Sequence, residues 1–200
     1  MKLYSLQVLY KSETSDQATP LIVAHDLNSF GFFEKKAVKE FMDFTGKLIV
    51  ERSQRCNRSK VREQAYICHC YIRGDYLAGI CISDDEYPDR VAQTLLNNIL
   101  DEFTKEYPAS SWSSLQPGQV QFKQLESDLA RYQDPKQADA MMRIQSEIDE
   151  TKGILSQTMD SLLQRGEKLD DLVARSDALS AQSKAFYQTA KKTNRCCTLL

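Results

Sequence analysis

From Met141 to Thr193 the chain repeats apolar and small residues at alternating steps of three and four. That spacing restricts the segment to a helix with one narrow seam. The seam reads Met141, Ile144, Ile148, Thr151, Leu155, Thr158, Leu162, Arg165, Leu169, Leu172, Ser176, Leu179, Ser183, Phe186, Ala190 and Thr193. Of these 16 positions ten are apolar, five are Ser or Thr, and one is Arg. Charged residues such as Glu147, Asp149, Glu150, Glu167 and Lys168 fill the faces between. A register held over more than seven heptads predicts a coiled-coil helix that meets partner helices. A helix docked permanently on the rest of the chain is the alternative.

The seam is weak for a self-sufficient coil. Five small polar layers reduce the apolar area, and Gly153 and Gly166 fall inside the helix, each costing about 1 kcal/mol relative to Ala. The segment is expected to order only on meeting partners. Arg165 at a seam position needs a reason, because burying a guanidinium among leucines costs several kcal/mol unless its donors are satisfied. Its five N–H donors suit amide oxygens from partner helices approaching in one plane, which would fix register and partner identity. An arginine that snorkels to solvent is the other reading. Phosphorylation of the seam residues Ser176 or Ser183 would place nearly two negative charges in the coil and is expected to block assembly.

The front half has the patterning of a folded domain. Tyr4, Leu6, Val8 and Tyr10 alternate over a strand, and a second strand spans Leu21 to Leu27. Val38, Phe41, Thr45, Leu48 and Ile49 then recur at helical spacing, with Phe44 at the edge of the stripe. Gln54 to Arg62 begins a third strand, and Tyr66 to Arg73 and Tyr76 to Ser83 form a hairpin across Gly74-Asp75, with glycine at the first turn position. Pro88 and Asp89 start an amphipathic helix, and Phe122, Leu125, Leu129 and Tyr132 mark a shorter one. The order predicts an α+β fold, a five-stranded antiparallel sheet with flanking helices.

A formal net charge of −2 argues against a nucleic-acid partner. No run of 18 apolar residues is present, so no transmembrane helix is expected, and the first residues lack a signal-peptide pattern. Cys68-His69-Cys70 resembles a metal cluster, but strand alternation points His69 away from both thiols, so no metal site is expected. No phosphate loop or nucleophile elbow is present, so catalytic residues are not expected. The chain ends Lys191-Lys192-Thr193-Asn194-Arg195-Cys196-Cys197-Thr198-Leu199-Leu200. Cys197, fourth from the end, fits a prenylation box, and Leu200 points to geranylgeranyl. Cys196 offers a second lipid site, and the basic residues add attraction to anionic lipid.

Leu162-Leu163-Gln164-Arg165-Gly166-Glu167-Lys168-Leu169-Asp170-Asp171-Leu172 resembles the central signature of synaptobrevin-type R-SNAREs, and Ser183-Lys184-Ala185-Phe186 resembles its continuation. Lys2-Leu3-Tyr4-Ser5-Leu6 and Glu40-Phe41-Met42-Asp43-Phe44-Thr45 resemble stretches of a longin, profilin-like domain. With the Cys-Cys tail, the likeness is to the prenylated longin branch of that family. It implies a longin domain over 1–133, a linker over 134–140, a SNARE motif over 141–193 and a lipidated tail over 194–200. It implies that Arg165 is the zero-layer arginine facing three Q-SNARE glutamines, that Cys197 is prenylated, and that Cys196 is palmitoylated or prenylated. It also implies a closed form in which the SNARE motif and lipid fold back onto the longin helix at Phe41, Phe44 and Leu48.

The expected function is therefore an R-SNARE that zippers with Q-SNARE helices to drive fusion in transport among ER, Golgi, endosome, vacuole or autophagosome. It would exchange between cytosol and the cytoplasmic faces of those membranes. Covalent lipid is expected in place of any cofactor. A coiled-coil vesicle tether or adaptor is the alternative, and acyl transfer onto its own cysteines is a third reading. The tail makes one direct prediction. Intact mass of the protein from a eukaryotic cell should show a prenyl adduct on Cys197 and a second lipid on Cys196; unmodified thiols would remove the anchoring role.

Overall fold

The computed structural model describes residues 1–134 and 153–197, with the backbone course alone for 193–197. The expected linker and the seam positions Met141, Ile144, Ile148 and Thr151 lie outside the described residues, as do the side chains of Thr193, Cys196 and Cys197. Six strands form one sheet in the order β2-β1-β5-β4-β3-β6. They are β1 (Leu3–Lys11), β2 (Ala18–His25), β3 (Asn57–Glu63), β4 (Tyr66–Ile72), β5 (Leu77–Asp84) and β6 (Leu155–Thr158). Helix α1 (Lys35–Arg52) covers one face, while α2 (Asp89–Glu106) and α3 (Gln124–Arg131) cover the other. Among the described residues three further helices follow: α4 (Met159–Leu162), α5 (Leu169–Arg175) and α6 (Ala181–Cys197).

The first five strands pair antiparallel, as the sequence order predicts for a longin-like α+β fold. The sixth was not expected. β6 runs parallel to β3, from Ser59↔Leu155 to Arg62↔Thr158, and it is built from seam residues. The segment read as one coiled-coil helix is here a strand and three helices over its described part. Gly153 and Gly166 both take φ +88°, a left-handed conformation that ends regular helix and that glycine adopts without steric cost. The seam residues Leu162, Leu169 and Leu179 are buried in the apolar cluster that α1 shares with the sheet.

β1 is a central strand buried on both faces rather than the half-buried strand its alternation suggests. Ser5 and Gln7 are 0% and 1% exposed. Gln7 Nε2 donates to Met42 O of α1 at 3.1 Å and to Ser5 Oγ at 3.2 Å, so its buried amide is satisfied. Helix and strand approach closely here: a Cβ on Gly46 would lie 2.1 Å from Gln7 Oε1. A register shift between Leu3 and Ser5 also sends Tyr4 to the α1 side, away from Leu6, Val8 and Tyr10.

The β4–β5 turn is one residue longer than predicted. Tyr76 N donates to Arg73 O at 3.2 Å, and Tyr76, not Gly74, holds the left-handed φ of +67°.

His69 is 0% exposed, with Nε2 3.3 Å from Ser83 Oγ and Nδ1 3.8 Å from Asp89 Oδ1. Burial pushes its imidazole down to about 4, with Asp89 opposing and Lys60 assisting. The folded value lies below the unfolded one near 6.5, so the unfolded chain binds the extra proton in that interval. Stability should be full above about pH 6.5 and fall as pH drops toward 4, by on the order of 1–3 kcal/mol. Urea midpoints across this range should show a slope that His69→Gln removes; an unchanged slope would assign it to other groups.

Candidate functional site

Helix α1 and one face of the sheet form a shared apolar cluster, and the segment after Gly153 packs into it. Met159 and Leu162 of α4, Leu169 and Val173 of α5, and Leu179 before α6 are all buried in one cluster with Val38, Met42 and Leu48 of α1. Each fully buried leucine of this kind contributes about 1.5–3 kcal/mol of desolvation. Phe41 stacks on Tyr187 of α6 with centroids 5.3 Å apart and planes at 26°. Phe44 is half-buried against the same cluster, its ring 6.3 Å from that of Phe41.

Polar contacts fix how α6 sits. Glu40 Oε2 of α1 accepts Ser183 Oγ–H at 2.6 Å and Ser180 N–H at 2.9 Å, so a side chain of one helix caps the start of another. Hydrogen bonds from Ser183, then Ser180, hold the Glu40 carboxyl down to about 2. Ser183 is 0% exposed and its hydroxyl is also 3.0 Å from Ser180 Oγ. Tyr187 donates to Asp170 Oδ1 at 2.8 Å, which ties α6 to α5, and burial together with Asp170 raises the Tyr187 pKa. At the far end of α1, Arg52 Nη2 donates to Glu167 Oε1 at 2.8 Å, while the other Glu167 oxygen accepts Gln164 N–H at 2.9 Å. That ring closes a turn whose tip is Arg165-Gly166, with Arg165 exposed.

The predicted seam residues divide. Leu162, Leu169, Leu179 and Ser183 are buried. Leu172, Ser176, Phe186 and Ala190 are half-buried. Leu155 in β6 is exposed, and Thr158 is the N-cap of α4 in a reciprocal pair with Ser161. Three buried residues escaped the heptad reading: Met159, Val173 and Tyr187. Each directly follows a seam position, and the doubled apolar pairs Leu172-Val173 and Phe186-Tyr187 were the available signal for a wider stripe. Glu40 carried no sequence signal, because its partners are 140 and 143 residues away.

A cavity of about 360 Å³ opens between α1, the β3–β4 turn and α6, lined chiefly by Val38, Phe41, Met42, Tyr66, Phe186 and Ala190. Its size and apolar walls fit one small ligand or an acyl-like chain. Ser83, His69 and Asp89 have the order of a hydrolytic triad, yet Ser83 and His69 are both 0% exposed, so no substrate reaches the hydroxyl. Burial pushes the Cys68 and Cys70 thiols up to about 12, which leaves them protonated at neutral pH and poor metal ligands. No metal-binding group occurs among the described residues, and no helix among them is long and apolar enough to cross a membrane.

Comparison with known proteins gives two family matches along the chain. The Longin family model, a regulated-SNARE-like domain, matches residues 27–129, and the Synaptobrevin model matches residues 140–199. The synaptobrevin homologue ykt6 of Schizosaccharomyces pombe is 49% identical over 201 residues, covering 100% of both chains. The YKT6 homologues of Eremothecium gossypii and Yarrowia lipolytica are 46% and 43% identical over 202 residues, again covering 100% of each chain. A longin sheet followed by a heptad segment with one central arginine, matched from end to end by these relatives, shows that the chain belongs to the longin-bearing synaptobrevin homologues, R-SNAREs of vesicle trafficking.

Proposed function

We propose that the chain is a lipid-anchored R-SNARE that is held closed by its own longin domain and fires by exchanging one set of apolar contacts for another. One observation carries this reading. Leu162, Leu169, Leu179 and Ser183 are seam positions of the heptad, and the same four are buried against the α1 side of the longin domain. A side chain cannot fill both places, so docking on α1 and zippering with Q-SNARE helices exclude each other.

In the open state residues 141–193 form one helix in a four-helix bundle. Arg165, solvent-facing in the closed turn, becomes the layer that three partner glutamines satisfy. Zippering from Met141 toward Thr193 draws two bilayers together, driven by seam burial. Cys197 carries the prenyl chain and Cys196 the second lipid, and the cavity beside Phe41 and Phe186 shelters the prenyl group while the protein is in the cytosol. Release then places it on the cytoplasmic faces of Golgi, ER-derived and endosomal membranes.

Two measurements test the cycle. Glu40→Ala removes the acceptor of both α6 contacts, each a charge-assisted bond of about 1.5–3 kcal/mol. Amide exchange over 181–192 should accelerate by roughly tenfold or more, and unchanged protection would sink the closed form. Arg165→Gln should weaken assembly with three Q-SNARE motifs, and a Gln→Arg change in the central layer of one partner should restore it. Failure of that swap to rescue would return the arginine to a surface role.

A further inference from the structure

Phe32 and Phe33 stand apart from every other large apolar side chain among the described residues. They are 83% and 82% exposed, against 49% for Met1 and 47% for Leu155. Aromatic rings carry a large apolar payload, and a solvent-facing pair of them marks a contact surface. The pair is presented by a fixed turn. Phe30, just before it, packs on Tyr4 with centroids 5.6 Å apart. Glu34 N and Lys35 N both donate to Gly31 O, at 2.9 and 3.2 Å, and Gly31 N donates to Glu34 Oε2 at 3.1 Å. Gln182 Nε2 holds Phe33 O at 2.7 Å, which restrains the backbone and leaves the ring outward. The two rings meet edge to face at 5.5 Å.

Immediately behind them come Lys35, Lys36 and Lys39, in the first turns of α1. The Lys36 side chain is 74% exposed, and Lys39 is exposed. Of the neighbouring carboxylates, Glu34 closes the turn, and Glu40 caps α6 through Oε2 while its Oε1 lies 3.9 Å from Lys36 Nζ, a pair that leaves the Lys36 side chain largely exposed. The tip therefore combines two apolar rings with a basic collar.

We propose that this loop is a membrane contact of the longin domain, in which Phe32 and Phe33 enter the headgroup–acyl boundary of an anionic bilayer and Lys35, Lys36 and Lys39 meet its phosphates. Two properties select a bilayer over a protein. The apolar part is a convex tip of two side chains, about 150–250 Å² each, well short of the roughly 800 Å² per partner that a stable protein interface buries. The collar also matches the anionic cytoplasmic leaflet, and aromatic rings at that depth are the usual interfacial anchor. The contact is separate from the lipids on the tail. It is exposed with α6 docked, so it would orient the longin domain on a membrane before or after release.

The test uses the full chain without lipid modification. Phe33→Trp is mixed with phosphatidylserine-containing vesicles bearing brominated acyl chains, and with phosphatidylcholine vesicles alone. Trp112, 1% exposed, provides a constant background. Quenching of the introduced indole on the anionic vesicles is expected, weakened by salt and by Lys35→Gln/Lys36→Gln/Lys39→Gln. Phe32→Ser/Phe33→Ser should lower vesicle binding roughly tenfold or more, with an unchanged thermal midpoint because neither ring is part of the core. An unquenched indole, or a double-serine chain that binds as well as the parent, overturns the proposal. A self-association that the double-serine change abolishes, with no vesicle binding by the parent, also overturns it and gives the pair to a protein contact.

Discussion

Leu162, Leu169 and Leu179 sit under the α1 face, and the course of the chain after Gly153 is arranged around keeping them there. The segment crosses the sheet edge as β6, turns at Gly166, and returns along α1 as α6. α4 and α5, of four and seven residues, are too short to be stable helices in water except by packing, since short helices carry an unfavourable nucleus. Their order is tertiary order. Without the shared apolar cluster, polar contacts such as the Thr158–Ser161 cap of α4 and the Tyr187–Asp170 bond of α5 would be left to hold these short helices.

The polar contacts define where that packing stops and starts. Glu40 and Arg52 lie near opposite ends of α1 and reach Ser183 and Glu167, on either side of α5. Between them the contacts are apolar and non-directional. This division gives the packing of the segment on α1 a definite register without a continuous ladder of hydrogen bonds between them. It also concentrates its specificity in a few atoms, while the bulk of its stabilisation is of the kind any apolar groove could supply.

Much of the longin half was legible because strand alternation and helical spacing are local properties. The order of the first five strands, α1 and α2 followed from them. What was not legible depended on neighbours remote in sequence. The burial of Gln7 depends on α1 lying across it, and the need for glycine at position 46 depends on Gln7 lying beneath it. Tyr4 changes face because of a register shift, which alternation cannot report. In the back half the heptad was legible and its alternative host was not. Periods of 3.5 and 3.6 residues differ little over a short helix, so a stripe written for partner helices also fits a single groove when shifted by one residue, as at Val173 and Tyr187.

β6 lies at the open edge of the sheet, paired only through its backbone to Ser59–Arg62 of β3. If residues 155–158 wind into a helix, β3 becomes the outermost strand, with its hydrogen-bonding groups bare toward solvent. Such an edge is a template for stray pairing between molecules. Here it alternates Arg58, Lys60 and Arg62, long cations of the type that discourage a second strand from aligning. The edge thus has two guards against self-templated aggregation, a covering strand supplied by the heptad segment and a row of long cations on β3 beneath it, and only the second would remain in a molecule whose β6 had left the sheet.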